Sequence, residues 1–400
     1  MKKQIVLLWT AMLLLGSGGV YAQTFSGGEG TEDSPYLISS KEDMEELESY
    51  YSDNHFKNTP KDKYFLLTRD LTGPEDTITL YSFYFSGTFD GGGHEIAVNE
   101  RGIFSQIKNA TIKNLGVSGR ITSPNCGGGF WNSCSSLTGS ICGIADSSNI
   151  INCYNMATIS YTGDCGNAIG GICGITYGCN NIINCYNSGN MEEVKSAAGG
   201  ICDNISDETV IRNCFAANTV INGDPDTDYT DNIGRILVSG YGNYRIVNCY
   251  ANSAMLLNGT TVSSDDATSR NGKDTPFSSF TNQSWIKENL KWDFEDVWKM
   301  SDINDPVHKG LPVLREFPKN VPISVVVSSG QNVTIYPNPV STSFRIQGIT
   351  EEMPLTITDI SGKIVLKQTV YSDAIISVEH LPEGVYTIRV AGETVKMVKK

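Results

Sequence analysis

Histidine is scarce in this 400-residue chain, with 4 copies, and its 44 acidic residues outnumber 30 basic ones, giving a formal charge of −14. That balance speaks against nucleic acid as a partner, because phosphate-binding surfaces need clustered Lys and Arg. Past the N-terminus no segment approaches about 18 uninterrupted apolar residues, so no membrane-spanning helix is expected there. CxxC pairs are missing, which with so few histidines leaves no ordinary zinc spacing. HExxH, GxSxG and the P-loop are missing too, so the sequence offers no catalytic motif. Long helical patterns are few, while glycine is abundant at 40 copies. Such a composition describes a turn-rich β protein.

The first residues carry an address. Lys2 and Lys3 precede the apolar stretch Ile5–Leu15, and Val20-Tyr21-Ala22 fits a small-residue cleavage site. Residues 1–22 therefore read as a secretory signal peptide, with the mature chain starting near Gln23.

The heptapeptide NIINCYN stands at Asn149–Asn155 and again at Asn181–Asn187. Five ten-residue windows align on it without gaps, beginning at Ile112, Ile150, Ile182, Ile211 and Ile246. A second anchor lies upstream of each: GIFS at Gly102, SICG at Ser140, GICG at Gly171, GICD at Gly200 and RILV at Arg235. Two short β segments per unit of roughly 30 residues fit one coil of a parallel β-helix, in which stacked units bury what one unit cannot.

Column by column, the alternation sets side-chain direction. The Ile112 column is always apolar and points inward; the next column tolerates Lys113 and Arg212 and points outward. Asn114, Asn152, Asn184, Asn213 and Asn248 follow. They read as left-handed turn positions whose stacking makes an asparagine ladder. After that turn Leu115, Cys153, Cys185, Cys214 and Cys249 point inward, and Gly116, Tyr154, Tyr186, Phe215 and Tyr250 outward.

With FSGTFDGGGHEI at Phe85–Ile96 and the anchor GGICG, these repeats resemble the GLUG repeat family over roughly residues 25–317. The resemblance implies a surface or secreted β-helix without implying one activity. The expected fold is all-β: a right-handed parallel β-helix with an N-terminal α/β cap, then a small antiparallel β-sandwich. Residues 23–80 form the cap, with a strand at Tyr36–Ile38 and a helix near Lys41–Tyr51, opened by a capping box of Ser40 and Asp43. Residues 81–317 form the helix proper. Trp285, Trp292, Phe294, Trp298 and Phe317 suit a plug at its end, and the polar stretch Asn258–Thr275 reads as a loop before that plug.

Residues 318–330 are linker-like, and 331–400 alternate in short β runs with turns at Ser361-Gly362 and Ala391-Gly392. The segments YPNP, DISGKIV, LPEGVYTIRV and KMVKK resemble a type IX secretion (Por) C-terminal sorting domain of type A. The resemblance implies a Gram-negative cell, type IX secretion machinery as partner, and a cargo either released or attached to surface lipopolysaccharide at the outer membrane.

Candidate sites follow from the same columns. The outward rings Tyr154, Tyr186, Phe215 and Tyr250 offer a platform on which sugar rings stack; alternatively they stack on one another or lie beneath loops. Asp224, Asp226 and Asp228 present oxygen ligands for calcium, or simply form a solvated acidic loop. Of the eleven cysteines, those in the repeat columns read as core packing, whereas Cys126–Cys134 and Cys165–Cys179 are disulfide candidates. Convergence of Asp164, Asp203, Asp207 and Asp224 would make a carbohydrate-active lyase or hydrolase, the main alternative to a surface adhesin that binds a glycan or host protein. A structural surface-layer protein is the third possibility.

Overall fold

The five repeat asparagines sit at φ between 53° and 58°, the left-handed region that few side chains other than Asn and Gly adopt readily. In the computed structural model, which describes residues 25–52, 62–80, 84–122, 137–160, 168–194, 197–206, 208–222, 232–316, 334–347, 353–359, 363–370, 374–390 and 393–400, this bend divides one face of each coil. Each amide donates to the side chain one coil back. Asn152 reaches Asn114 and Asn184 reaches Asn152 at 3.1 Å each, Asn213 reaches Asn184 at 3.3 Å, and Asn248 reaches Asn213 at 2.9 Å. The ladder is closed at both ends, by Asp90 accepting from Asn114 at 3.0 Å and by the Asn289 carbonyl accepting from Asn248 at 2.5 Å.

Parallel sheets stack around this ladder as a β-solenoid. One 6-stranded sheet runs through Tyr84–Phe85, Phe104–Lys108, Cys142–Asp146, Cys173–Tyr177, Cys202–Ile205 and Leu237–Gly240. A 4-stranded sheet holds Leu137–Thr138, Ala168–Gly170, Ala197–Gly199 and Ile233–Gly234, and an 18-stranded sheet contains the asparagine ladder. Register follows the sequence columns: Ile112, Ile150, Ile182, Ile211 and Ile246 pair in succession, and all are buried.

The inward cysteines fill the narrow core as thiols. Cys142, Cys173 and Cys202 form one column, Cys153, Cys185, Cys214 and Cys249 the other, and all seven are buried. Cys142 and Cys173 sulfurs lie 3.6 Å apart, in contact and unbonded. Burial pushes the thiols of Cys185, Cys214 and Cys249 well above their usual range, so they pack as small apolar groups.

At the N-terminal end, Tyr36–Ile38 pairs in parallel with Tyr64–Leu67, which pairs with Thr88–Asp90. The helix Lys41–Ser52 lays Met44, Leu47 and Tyr51 against that edge. Its capping box is half formed. Ser40 Oγ accepts from the Asp43 amide at 3.1 Å, but the Asp43 carboxylate turns to the Ser39 amide at 2.7 Å and the Ser26 amide at 3.0 Å.

The C-terminal end reverses two expectations. The polar stretch is the end cover: Thr260–Thr261 pairs antiparallel with Leu256–Leu257, and Lys273–Thr275 adds in parallel to Tyr250–Asn252. Ile236 and Leu237 amides donate to the Arg270 carbonyl at 3.0 Å each, where a further coil would otherwise sit. The aromatic segment runs back along the flank as a strap. Short helices at Phe277–Phe280 and Gln283–Asn289 lead into a two-stranded sheet of Trp298–Met300 and Pro312–Leu314. Backbone amides and carbonyls on the open solenoid edge need partners wherever they lack water, and a hairpin of polar residues supplies backbone groups that a cluster of rings does not.

The chain divides into two compact units, 1–317 and 318–400. In the second, an antiparallel sheet of Thr334–Tyr336, Ser343–Gln347 and Ile375–Ser377 and another of Ile364–Val370, Met353–Asp359, Gly384–Val390 and Glu393–Lys399 share one core. Among the described residues, no helix is long and apolar enough to cross a membrane.

Candidate functional site

Of the two readings of the outward ring column, an open platform or rings stacked on one another beneath cover, the structure has the second. Tyr154, Tyr186, Phe215 and Tyr250 are 3%, 0%, 0% and 9% exposed, lying beneath the strap. They point out of the coil as their column requires, and stack on one another: Tyr154 on Tyr186 at 5.2 Å between ring centroids, Tyr186 on Phe215 at 4.7 Å. Phe280 of the strap is stacked on Phe215 at 4.5 Å, while Tyr250 meets Trp285 edge-on. Tyr186 donates to the Pro312 carbonyl at 2.8 Å, and the Trp292 indole to the Asn213 carbonyl at 2.9 Å. A sugar ring has no access while the strap is in place. The sequence shows a column's direction, but not a later segment that folds back over it.

Glu95 heads this column, paired in register with Gly116. A Cβ at Gly116 would overlap the Tyr154 ring, so glycine there lets the ring lie flat and its hydroxyl reach Glu95 Oε2 at 2.9 Å. From the strap, His308 Nε2 meets the same oxygen at 3.2 Å while its Nδ1 meets Asp305 at 2.8 Å. The Glu95 hydrogen bond, then Asp305, raise His308 above its usual value against the opposing effect of burial. Beside them His94 Nδ1 lies 3.2 Å from Asp70, whose carboxyl is held below its usual range, chiefly by that bond. These polar groups satisfy one another and fasten the strap to the first coils.

Of the other candidates, Asp224, Asp226, Asp228, Cys126, Cys134, Cys165, Asp164, Asp207 and Phe317 lie outside the described residues. Cys179 is exposed, its sulfur 3.2 Å from Glu208. Asp203 is 5% exposed with Oδ1 unpartnered, and burial pushes its carboxyl up to about 7. Among the described residues no group of three or more His, Cys, Asp or Glu is placed to hold a metal ion.

The residues that sequence reasoning missed are Tyr177, Tyr241 and Tyr244, exposed by 51%, 68% and 37%. They stand at the corner where the 6-stranded sheet turns toward the asparagine ladder. The dipeptide Tyr-Gly at 177 and 241 was the available signal, since the glycine after each tyrosine has a positive φ, 71° at Gly178 and 77° at Gly242.

The tail has its own local logic. Residues 353–359 pair antiparallel with 364–370 on one side and 384–390 on the other, and 393–399 complete the sheet. Tyr386 of LPEGVYTIRV donates back to the Pro382 carbonyl at 2.8 Å. This sheet belongs to the second compact unit and packs on that unit's own core. Residues 334–400 match the family model of the secretion system C-terminal sorting domain. No curated protein matches the chain. The protein is therefore cargo of the type IX secretion machinery, which its C-terminal domain engages, and it is secreted or displayed at the outer-membrane surface of a Gram-negative bacterium.

Proposed function

We propose that residues 23–317 form a GLUG-type binding module, adhesin-like, which meets a glycan or host protein outside the cell, and that the sorting tail delivers it there for release or attachment to lipopolysaccharide. The observation that carries this reading is the exposed tyrosine corner, on a solenoid whose other outward ring column is sealed. Exposed tyrosines on a rigid support present contact area at little cost in side-chain entropy. Catalysis is not part of the reading: Asp203 is buried, and the half-buried carboxylates at Glu95 and Asp305 are engaged by Tyr154 and His308.

The test is a binding screen of the purified protein against a glycan array and immobilised extracellular-matrix proteins, with product analysis after incubation with acidic polysaccharides. Saturable binding without turnover is expected. Release of unsaturated or reducing ends would replace the reading with a lyase or hydrolase.

A further inference from the structure

The turn after the 6-stranded sheet is fixed on both sides. Before it, Ile175, Asn204 and Ser239 pair in register; after it, Asn181, Val210 and Arg245 do so, with the same number of residues between in each coil. Tyr177, Ser206 and Tyr241 therefore occupy one column. The Tyr241 amide donates to the Ile205 carbonyl at 2.9 Å, and Ser206 Oγ to the Thr176 carbonyl at 2.7 Å, as that register requires. In the preceding coils the same column holds Asp146 and Lys108, joined at 2.6 Å.

Two tyrosines thus stand two coils apart on equivalent Tyr-Gly turns, with a serine between them. At the usual strand spacing that separation is about 9–10 Å, close to the length of a disaccharide. Tyr244 belongs to the other side of the strand: a Cβ at Gly240 would meet its ring and the buried Ile205, so it covers the inward face of Gly240 and stands apart from the column of Tyr177 and Tyr241. Polar groups accompany the rings: the Asn204 amide donates to Ser239 Oγ at 3.1 Å in the adjoining exposed column.

We infer that Tyr177 and Tyr241 form a stacking ledge for a neutral, extended glycan lying along the solenoid axis, with one sugar ring on Tyr177 and another, a disaccharide further, on Tyr241. The inference rests on the binding-module reading above and names its ligand class. Charge selects neutral sugars. The chain carries −14 overall, and the column's own cation, Lys108, is paired with Asp146, so uronic or sulfated polymers meet net repulsion. Size selects a sugar over a protein. Two partly buried tyrosines, at about 150–250 Å² each when whole, fall short of the roughly 800 Å² per partner of a stable protein interface.

The experiment is isothermal titration of the full-length protein with soluble neutral oligosaccharides from a panel of glucans, mannans and xylans. A parallel panel contains a uronic-acid polymer and immobilised fibronectin. Variants are Tyr177→Ala, Tyr241→Ala, the double alanine variant, and Tyr177→Phe/Tyr241→Phe. Exposed positions leave thermal unfolding unchanged, which is checked first. The expected result is binding of a neutral oligosaccharide, weakened roughly tenfold by each alanine and retained by the phenylalanines. Undiminished glycan binding by the double alanine variant overturns the ledge and leaves the binding-module reading intact. Binding of the uronic polymer or fibronectin alone overturns the ligand class. Binding of nothing on either panel overturns the ledge and removes the support for the module reading.

Discussion

The guanidinium of Arg235, fully buried, lies 2.6 Å from the Asp274 carboxylate of the end cover. Arg235 occupies the anchor column whose earlier members are Gly102, Ser140, Gly171 and Gly200. A Cβ at Gly200 would overlap the Arg235 carbonyl of the next coil. With no coil beyond it, Arg235 has room. Its Nε donates to the Asn271 carbonyl at 3.0 Å and its Nη2 to the Gly272 carbonyl at 3.1 Å. The Asp274 contact is a charge pair off the hydrogen-bond axis, and Nη1 has no partner. Burial alone would raise the Asp274 carboxyl, but Arg235, the Ser264 amide and Ser263 outweigh it and hold it low.

Removing Asp274 strands a buried cation, whereas replacing Arg235 with methionine removes charge and keeps volume. Asp274→Ala is expected to cost about 3 kcal/mol, and Arg235→Met less, about 1–2 kcal/mol for the carbonyls left behind. Urea midpoints of the two variants check the order. The reverse order would mean that the carbonyl bonds, not the charge pair, hold the cover.

Much of this fold was legible in the columns. Ile112 and its successors, the ladder asparagines and the inward cysteines each recur at one position, and in-register stacking turns a recurring position into a line of contacts. The strap was illegible for the converse reason. Its contacts, such as Tyr186 with Pro312 and His308 with Glu95, join residues far apart in sequence and occur once. Tyr177 and Tyr241 escaped notice because the coil between them carries serine, so their column looks irregular until the register on both sides is known.

The asparagine ladder carries two separable loads, backbone geometry and amide bonds. Asn184 has φ of 54°, donates to Asn152 and accepts from Asn213. Asn184→Ala suffers left-handed strain of about 1–2 kcal/mol and loses two bonds worth about 1 kcal/mol each. Asn184→Gly loses the bonds and escapes the strain. Thermal unfolding should therefore rank wild type above glycine above alanine. Equal loss for both variants would show that the bend is not strained.

His308 makes the strap sensitive to pH. It faces Glu95 and Asp305, with the Tyr154 hydroxyl on Glu95 and with Asp70, His94 and Lys299 close by. Its folded value is raised from 6.5, so its contribution is complete below about that pH and fades as pH rises through the raised value. On the acid side, Asp305 is held below 3.8, first by His308 and then by the Val307 and His308 amides, and the clasp is lost as pH falls through that depressed value. Hydrogen exchange in Trp298–Met300 and Pro312–Leu314 should quicken on the alkaline side beyond the intrinsic rate, and His308→Gln should abolish that excess. An excess that survives the substitution would assign it to another group.

Asp203 works against the fold at neutral pH. It sits in register between Gly174 and Val238, is almost fully buried, and has an unpartnered oxygen, so burial raises its carboxyl to about 7. A carboxyl whose folded value exceeds the unfolded one binds more protons when folded, and stability falls as pH rises between the two values. Its contribution thus drops from about pH 4 toward 7 and levels off above. Asp203→Asn keeps the shape without the charge, and should stabilise by about 1–3 kcal/mol at pH 8 while changing little at pH 4. Unfolding midpoints of both proteins at the two values decide the matter. An asparagine variant weaker than wild type at pH 8 would mean that the Asp203 carboxylate is stabilised there in its charged form.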